Sequence, residues 1–176
     1  AGWHTVASGL RGGGGGDPTR IFAGIRGPKG DLIVGGNFNR LAASPEYSGI
    51  VAWVGDQWEG LRAGVNGTIS ALKSLPNGDI IAGGSFTNAD GRLMSGIARW
   101  RDEAWYPIGE PTEGNRHIRS VVTMPNGDLI AGGGFLSLDD ATSASIARWD
   151  GQAWRSMGPG MNHVTYTLAV MTDGTL

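Results

Sequence analysis

One segment organises this chain. PNGDLIAGGGF, Pro125 to Phe135, recurs as PNGDIIAGGSF, Pro76 to Phe86, and as PKGDLIVGGNF, Pro28 to Phe38. A fourth copy begins at Thr172 as TDGTL, so the anchoring glycines are Gly30, Gly78, Gly127 and Gly174, spaced by 48, 49 and 47 residues. A fixed period of this size marks an array or a propeller, in which each unit buries its apolar face against its neighbours.

Each copy obeys the same local rules. A turn signal, Asn77-Gly78 or Asn126-Gly127 with Lys29-Gly30 as the weaker version, precedes an apolar run that reads as a buried strand. Asn-Gly suits tight hairpins because it accepts a positive φ. The glycine pairs Gly35-Gly36, Gly83-Gly84 and Gly132-Gly133 close that strand. A missing side chain there predicts a bulge or the close approach of another backbone, the neighbour being the next unit.

Every full repeat divides into four short strands, a to d. In the third these are HIRSVVTM, DLIAGGGF, SIARW and QAWRSM; in the second, TISALKSL, DIIAGGSF, GIARW and EAWYPI; in the first, RIFAGIRG, DLIVGGNF, GIVAW and QWEGL. VTYTLAVM, in the tail, reads as a further strand a. The a-to-b and c-to-d links are tight, whereas the b-to-c links (NRLAASPEYS, TNADGRLMS, LSLDDATSAS) and the d-to-a links are long and varied. An antiparallel meander therefore closes one edge of every unit with minimal turns and gathers the variable sequence at the other, where binding residues concentrate.

Tryptophans punctuate the repeats. Trp53 and Trp58, Trp100 and Trp105, and Trp149 and Trp154 flank the c-d turn, and Trp3 aligns with the second member of each pair without a first. The sequence thus opens midway through a repeat and stops midway through another. The expected units are 1–10, the last strand of a preceding blade; 21–62, 69–109 and 117–158, full blades; and 164–176, the start of a further one. Between Trp3 and Ile21 the run RGGGGGDP reads as a flexible low-complexity loop, and it is not a phosphate loop because no Gly-Lys-Ser/Thr follows.

Four-stranded meanders at this period are propeller blades. The double glycine closing strand b, the tryptophan ending strand c and the tryptophan in strand d resemble the kelch-type blade. The fuller strings SGIARW…AW…IG and ASIARWDGQAW…MGPGM are similar to the kelch-like repeats of large secreted and surface-attached propeller proteins, mostly bacterial, with fungal cell-polarity relatives. The resemblance implies an all-β propeller and no particular activity, since propellers host enzymes, lectins and docking platforms alike. About 3.5 blades are too few to close a ring of four to eight. The expected partners are further blades, from a longer chain or from a second copy that would bring the total to seven.

Composition narrows the function. A formal charge of −2 argues against nucleic acid or a polybasic membrane surface, and no apolar run approaches a membrane span. The 32 glycines lack a three-residue period, which excludes collagen, and the absence of cysteine excludes disulfides and cysteine-ligated zinc.

The tryptophan pairs are expected to pack between blades rather than to stack on sugars. Asp31, Asp79 and Asp128 follow the turn glycine, with Asp56, Asp102 and Asp150 nearby; turn capping explains them better than a cation ring. Arg99 and Arg148 read as structural, because the first repeat has Ala52 in their place. Candidate ligand-binding residues lie on the long links: Asn88 and Asp90, Asp139 and Asp140 with Thr142 and Ser143, and His117 and His163. His4, His117 and His163 fall in or beside d-to-a segments and belong to successive repeats, so no metal or other cofactor is expected of them. Asn66-Gly67-Thr68 is a glycosylation sequon. No G-x-S-x-G, H-E-x-x-H or cysteine nucleophile is present. The leading expectation is a non-enzymatic binding or scaffold propeller of an extracellular or cell-surface protein, recognising a protein or glycan through the b-c and d-a links. A carbohydrate-binding lectin and a fragment of a larger propeller enzyme are the alternatives.

Overall fold

The computed structural model describes residues 10–11, 19–38, 40–41, 48–111, 116–139 and 144–176. Trp3, His4, Asp140, Thr142, Ser143 and the glycine run from Gly12 onward lie outside them. The described residues form an all-β structure without helices. In chain order the strands are β1 (Leu10–Arg11), β2 (Arg20–Arg26), β3 (Leu32–Asn37), β4 (Arg40–Leu41), β5 (Ile50–Val54), β6 (Gln57–Gly60), β7 (Thr68–Ser74), β8 (Ile80–Ser85), β9 (Asn88–Ala89), β10 (Arg92–Leu93), β11 (Ile97–Arg101), β12 (Ala104–Pro107), β13 (His117–Thr123), β14 (Leu129–Gly134), β15 (Ile146–Trp149) and β16 (Trp154–Ser156).

Twelve of these strands make three antiparallel four-stranded sheets, β2-β3-β5-β6, β7-β8-β11-β12 and β13-β14-β15-β16, one per repeat. Two small ladders involve the long b-c links. β9 and β10 form a hairpin around Asp90-Gly91, so a link expected to be irregular carries a short ladder of its own. β4, at the equivalent place in the first repeat, pairs instead with β1.

The turns behave as their sequence predicts. Gly78 (φ 88°) and Gly127 (φ 92°) adopt the left-handed conformation that the hairpin needs. Asn77 Oδ1 accepts a hydrogen bond from the Asp79 amide at 3.1 Å, and Asn126 does the same for Asp128. The capping role expected of Asp79 and Asp128 therefore belongs to the asparagines, whereas Asp150 caps its own turn as expected, its Oδ1 accepting from the Gln152 and Ala153 amides at 3.0 and 2.8 Å. Asp79 and Asp128 instead face Arg99 and Arg148 across the sheet, at 3.9 and 3.5 Å.

The tail repeats this turn without its strand. Gly174 donates to the Met171 carbonyl at 2.9 Å, as Gly127 does to Met124. Residues 164–171, expected to begin a further blade as strand a, form no ladder among the described residues. They nevertheless pack on the third sheet, where the Thr165 amide donates to the Gly133 carbonyl at 3.1 Å.

The paired glycines explain how the sheets stack. A Cβ on Gly35 would lie 2.4 Å from Ile69 Cγ2, and one on Gly83 would lie 2.6 Å from Ile118 Cγ2. One on Gly132 would lie 2.6 Å from Thr165 Cγ2. Ile69, Ile118 and Thr165 are equivalent positions of successive repeats, so each strand a drops a side chain into the hollow that the preceding repeat's first glycine leaves. The second glycine serves its own sheet: a Cβ on Gly84 would sit 1.9 Å from the Thr68 carbonyl oxygen. Opposite it the register slips by one residue, between Ile69 and Ala71, and the same bulge occurs at Ile21/Ala23 and Ile118/Ser120.

The apolar core lies between the sheets. Ile33, Ile50, Ile69, Ile80 and Met94 fill the first seam, while Ile81, Ile97, Ile118, Leu129 and Leu138 fill the second. Trp105 and Trp154 are buried in these seams, and their indole N–H groups donate to the carbonyls of Leu61 (3.1 Å) and Ile108 (3.0 Å) in the preceding repeat. Trp53, Trp100 and Trp149 face them directly across the ladder, with ring centroids 5.0, 5.2 and 5.6 Å from Trp58, Trp105 and Trp154. Such tilted or edge-on aromatic pairs add about 0.5–1.5 kcal/mol beyond burial. No helix among the described residues is long and apolar enough to cross a membrane.

Candidate functional site

The bulges determine where chemistry gathers. A bulge leaves one residue unpaired and re-aims its side chain. The bulged residues are Phe22, Ser70 and Arg119, and Tyr166 holds the equivalent place in the tail. All four line one cleft of about 480 Å³, together with Asn37, Thr68 and His117. Each of these residues lies at the start of a strand a or at the end of a strand b, so the cleft opens at the edge that carries the long links.

The cleft is cationic and aromatic. The Arg119 guanidinium stands 4.9 Å from the Tyr166 ring centroid, a cation–π arrangement. Its Nε is buried and has no hydrogen-bond acceptor. A buried donor left unmatched is costly, and a ligand oxygen would supply what is missing. Tyr166 and Phe22 expose 70% and 52% of their surface, so both rings are open to stacking. Burial, and after it the Arg119 charge, hold the His117 imidazole below its ordinary value of 6.5. His117 is therefore neutral at neutral pH, with one nitrogen free to donate and one to accept. Ser70 and Thr68 add hydroxyls and Asn37 an amide.

The other candidate residues are placed differently. Asn88 is tied into its own link: its Oδ1 accepts from the Gly91 amide at 2.9 Å, and its backbone N–H donates to Asn66 Oδ1. Asp90 lies 3.9 Å from Arg62 of the preceding repeat, and Asp139, its equivalent, accepts from the Glu110 amide at 3.1 Å and stands 4.0 Å from Arg116. Both aspartates thus clamp neighbouring repeats together. His163 borders a separate hollow of about 430 Å³ with Leu136, Met161 and Val164. His117 and His163 do not converge, and no group of three metal-ligating side chains occurs among the described residues. Asn66 of the sequon spends its Nδ2 on the Thr87 hydroxyl at 3.0 Å.

Phe22, Ser70, Arg119 and Tyr166 escaped the sequence reading although they are equivalent positions of the repeat. The available signal was their divergence: an aromatic, a hydroxyl, a cation and a phenol occupy a place whose neighbour is Ile in three repeats and Thr in the tail.

No protein-family model matches the chain, and no curated protein matches it. Two solved structures have a similar fold, both of the extracellular domain of BT4673 from B. thetaiotaomicron. One is described as belonging to a one component system (TM-score 0.55, 14% identity) and the other to a hybrid two component system (TM-score 0.55, 15% identity). Each match covers 88% of this chain and 19% of the other. At such identities the likeness is one of fold, and the chain spans about a fifth of the length of those proteins.

Proposed function

We propose that this chain is a non-catalytic ligand-binding module of an extracellular or cell-surface protein, built as a propeller array of kelch-like blades. Its ligand enters the cleft of Phe22, Ser70, Arg119 and Tyr166. The observation that carries this reading is the convergence of four equivalent residues with four different chemistries on one cleft. Residues 22 and 166 belong to the first and last repeats, and their meeting in a single cavity supports sheets fanned about an axis rather than stacked flat. Ile21, 53% exposed where Ile69 and Ile118 are buried, supports the docking of a further glycine-paired strand on the first sheet.

The cleft favours a glycan as ligand, and an acidic one. Its volume suits a small-molecule site of roughly 300–1,000 Å³. Exposed rings stack on the apolar face of a sugar, the hydroxyls and amide match its hydroxyls, and Arg119 matches a carboxylate. No carboxylate lines the cleft among the described residues, whereas glycoside hydrolysis ordinarily uses two. The BT4673 structures, as extracellular domains, support the location. Titration with uronic-acid oligosaccharides and their neutral counterparts, followed by tryptophan-independent calorimetry and by product analysis, tests the proposal. Acidic oligosaccharides should bind unchanged in structure, and Arg119→Gln should weaken them at least about tenfold. Equal binding of neutral sugars overturns the acidic assignment, and turnover overturns the non-catalytic one.

A further inference from the structure

The three sheets provide a comparison within one molecule. In the second and third, the aspartate after the turn glycine is matched twice. Asp79 faces Arg99 at 3.9 Å and Asp128 faces Arg148 at 3.5 Å. Each also accepts a hydrogen bond at 2.9 Å from the side-chain amide of Asn77 or Asn126 in its own turn. The first sheet has neither partner, since Ala52 stands where the arginine would be and Lys29 where the asparagine would be. Asp31 keeps its place all the same. Its Oδ1 is buried and accepts no hydrogen bond, and it forms no ion pair with Lys29.

The missing arginine leaves room. Asp31 and Ala52 border a groove of about 520 Å³ between the first and second sheets, whereas the equivalent groove between the second and third, bordered by Arg99, measures about 350 Å³. Trp100 forms a wall of the larger groove, and Glu59 and Glu103 stand at its rim. Two cations also line it: Lys29, which forms no ion pair with Asp31, and Arg62, whose Nε donates to the Glu103 carbonyl at 2.5 Å and stands 3.9 Å from Asp90.

We infer that this groove binds a guanidinium group, presented as an arginine side chain of a partner polypeptide, in the slot that Arg99 and Arg148 fill in the other two sheets. A carboxylate oxygen taken out of water with neither an ion pair nor a hydrogen bond is unfavourable, and a planar guanidinium supplies both in a fixed fork that the flexible Lys29 ammonium does not match. The neighbouring indole offers the same cation a face to stack on, which a compact ammonium uses less well. The groove shares no lining residue with the cleft, so the two sites are distinct.

The test titrates the chain with a capped Gly-Arg-Gly peptide and with its citrulline counterpart, which has the same shape and no charge. The readout is the backbone amide shifts of Asp31 and Ala52 and the indole signal of Trp100. The arginine peptide should move all three, and the citrulline peptide should bind at least about tenfold more weakly. Asp31→Asn should weaken the arginine peptide by about the same factor. Ala52→Arg supplies the guanidinium internally and should raise Tm while abolishing peptide binding. Equal binding of the two peptides, no binding of either, or an Ala52→Arg chain that still binds the peptide overturns the inference. Argininamide binding as tightly as the peptide overturns the polypeptide part of it. If Ala52→Arg does not fold, the peptide comparison and Asp31→Asn decide the matter.

Discussion

The seams between the sheets and the cleft at their edge are built from adjacent residues under opposite rules. Ile69 and Ser70, Ile118 and Arg119, and Thr165 and Tyr166 are sequence neighbours at equivalent positions of successive repeats. The first of each pair drops into a glycine hollow, and the second projects into the cleft. In the seam an apolar or methyl-bearing side chain recurs, because a close-packed contact tolerates few shapes. In the cleft each repeat contributes something different, because the bulge frees that position from the ladder. A repeat protein thus holds its architecture at one residue and acquires its chemistry at the next.

The comparison is best broken at the glycines. Gly84→Ala places a Cβ 1.9 Å from a backbone oxygen of its own bulge, which no rotamer change relieves. Chemical denaturation should show a loss of about 3 kcal/mol or more, the upper end of overpacking costs. Gly83→Ala meets the movable Ile118 side chain instead and should lose about 1–3 kcal/mol. Adding Ile118→Ala should cost less than the sum of the two single changes, with a coupling above about 0.5 kcal/mol; strict additivity would mean that the hollow does not seat Ile118.

Trp105→Phe keeps an aromatic ring in the seam but abandons the Leu61 carbonyl, and should cost about 1–3 kcal/mol by the same measurement. A cost no larger than that of an exposed substitution would remove the tryptophan from the inter-sheet tie.

The smallest effect concerns the cleft. His117 is held below its ordinary value in the fold, so as pH falls through about 6.5 the unfolded chain takes up the proton first. That loss of stability should continue until the folded pKa is passed, and be absent above neutrality. His117→Gln should flatten this acid-side slope in unfolding curves recorded from pH 7.5 to 5. An unchanged slope would show that burial does not disfavour the imidazolium.

Much of the fold was legible. The recurring Pro-Asn-Gly-Asp turns, the apolar b strands and the tryptophan spacing define three four-stranded meanders, since turn chemistry and strand pattern are local properties. The paired glycines announced close approach, yet their division of labour, one glycine for the next sheet and one for its own bulge, depends on neighbours about 35 residues away in sequence or across the ladder. The same limit applied to the long-link aspartates. Asp90 and Asp139 look like ligands when read alone, and the structure adds partners that no single link shows, Arg62 and the Glu110 amide of the preceding repeat.

The sequence by itself determined the repeat, its four-strand division and the edge on which variable residues gather, because all of these follow from turn residues and periodicity. Only the tertiary structure decided that Phe22, Ser70, Arg119 and Tyr166 meet, and that Asp31 lacks the arginine its counterparts possess. Those facts rest on a one-residue slip in register and on the packing of one sheet against the next, and neither is encoded in any single stretch of the chain.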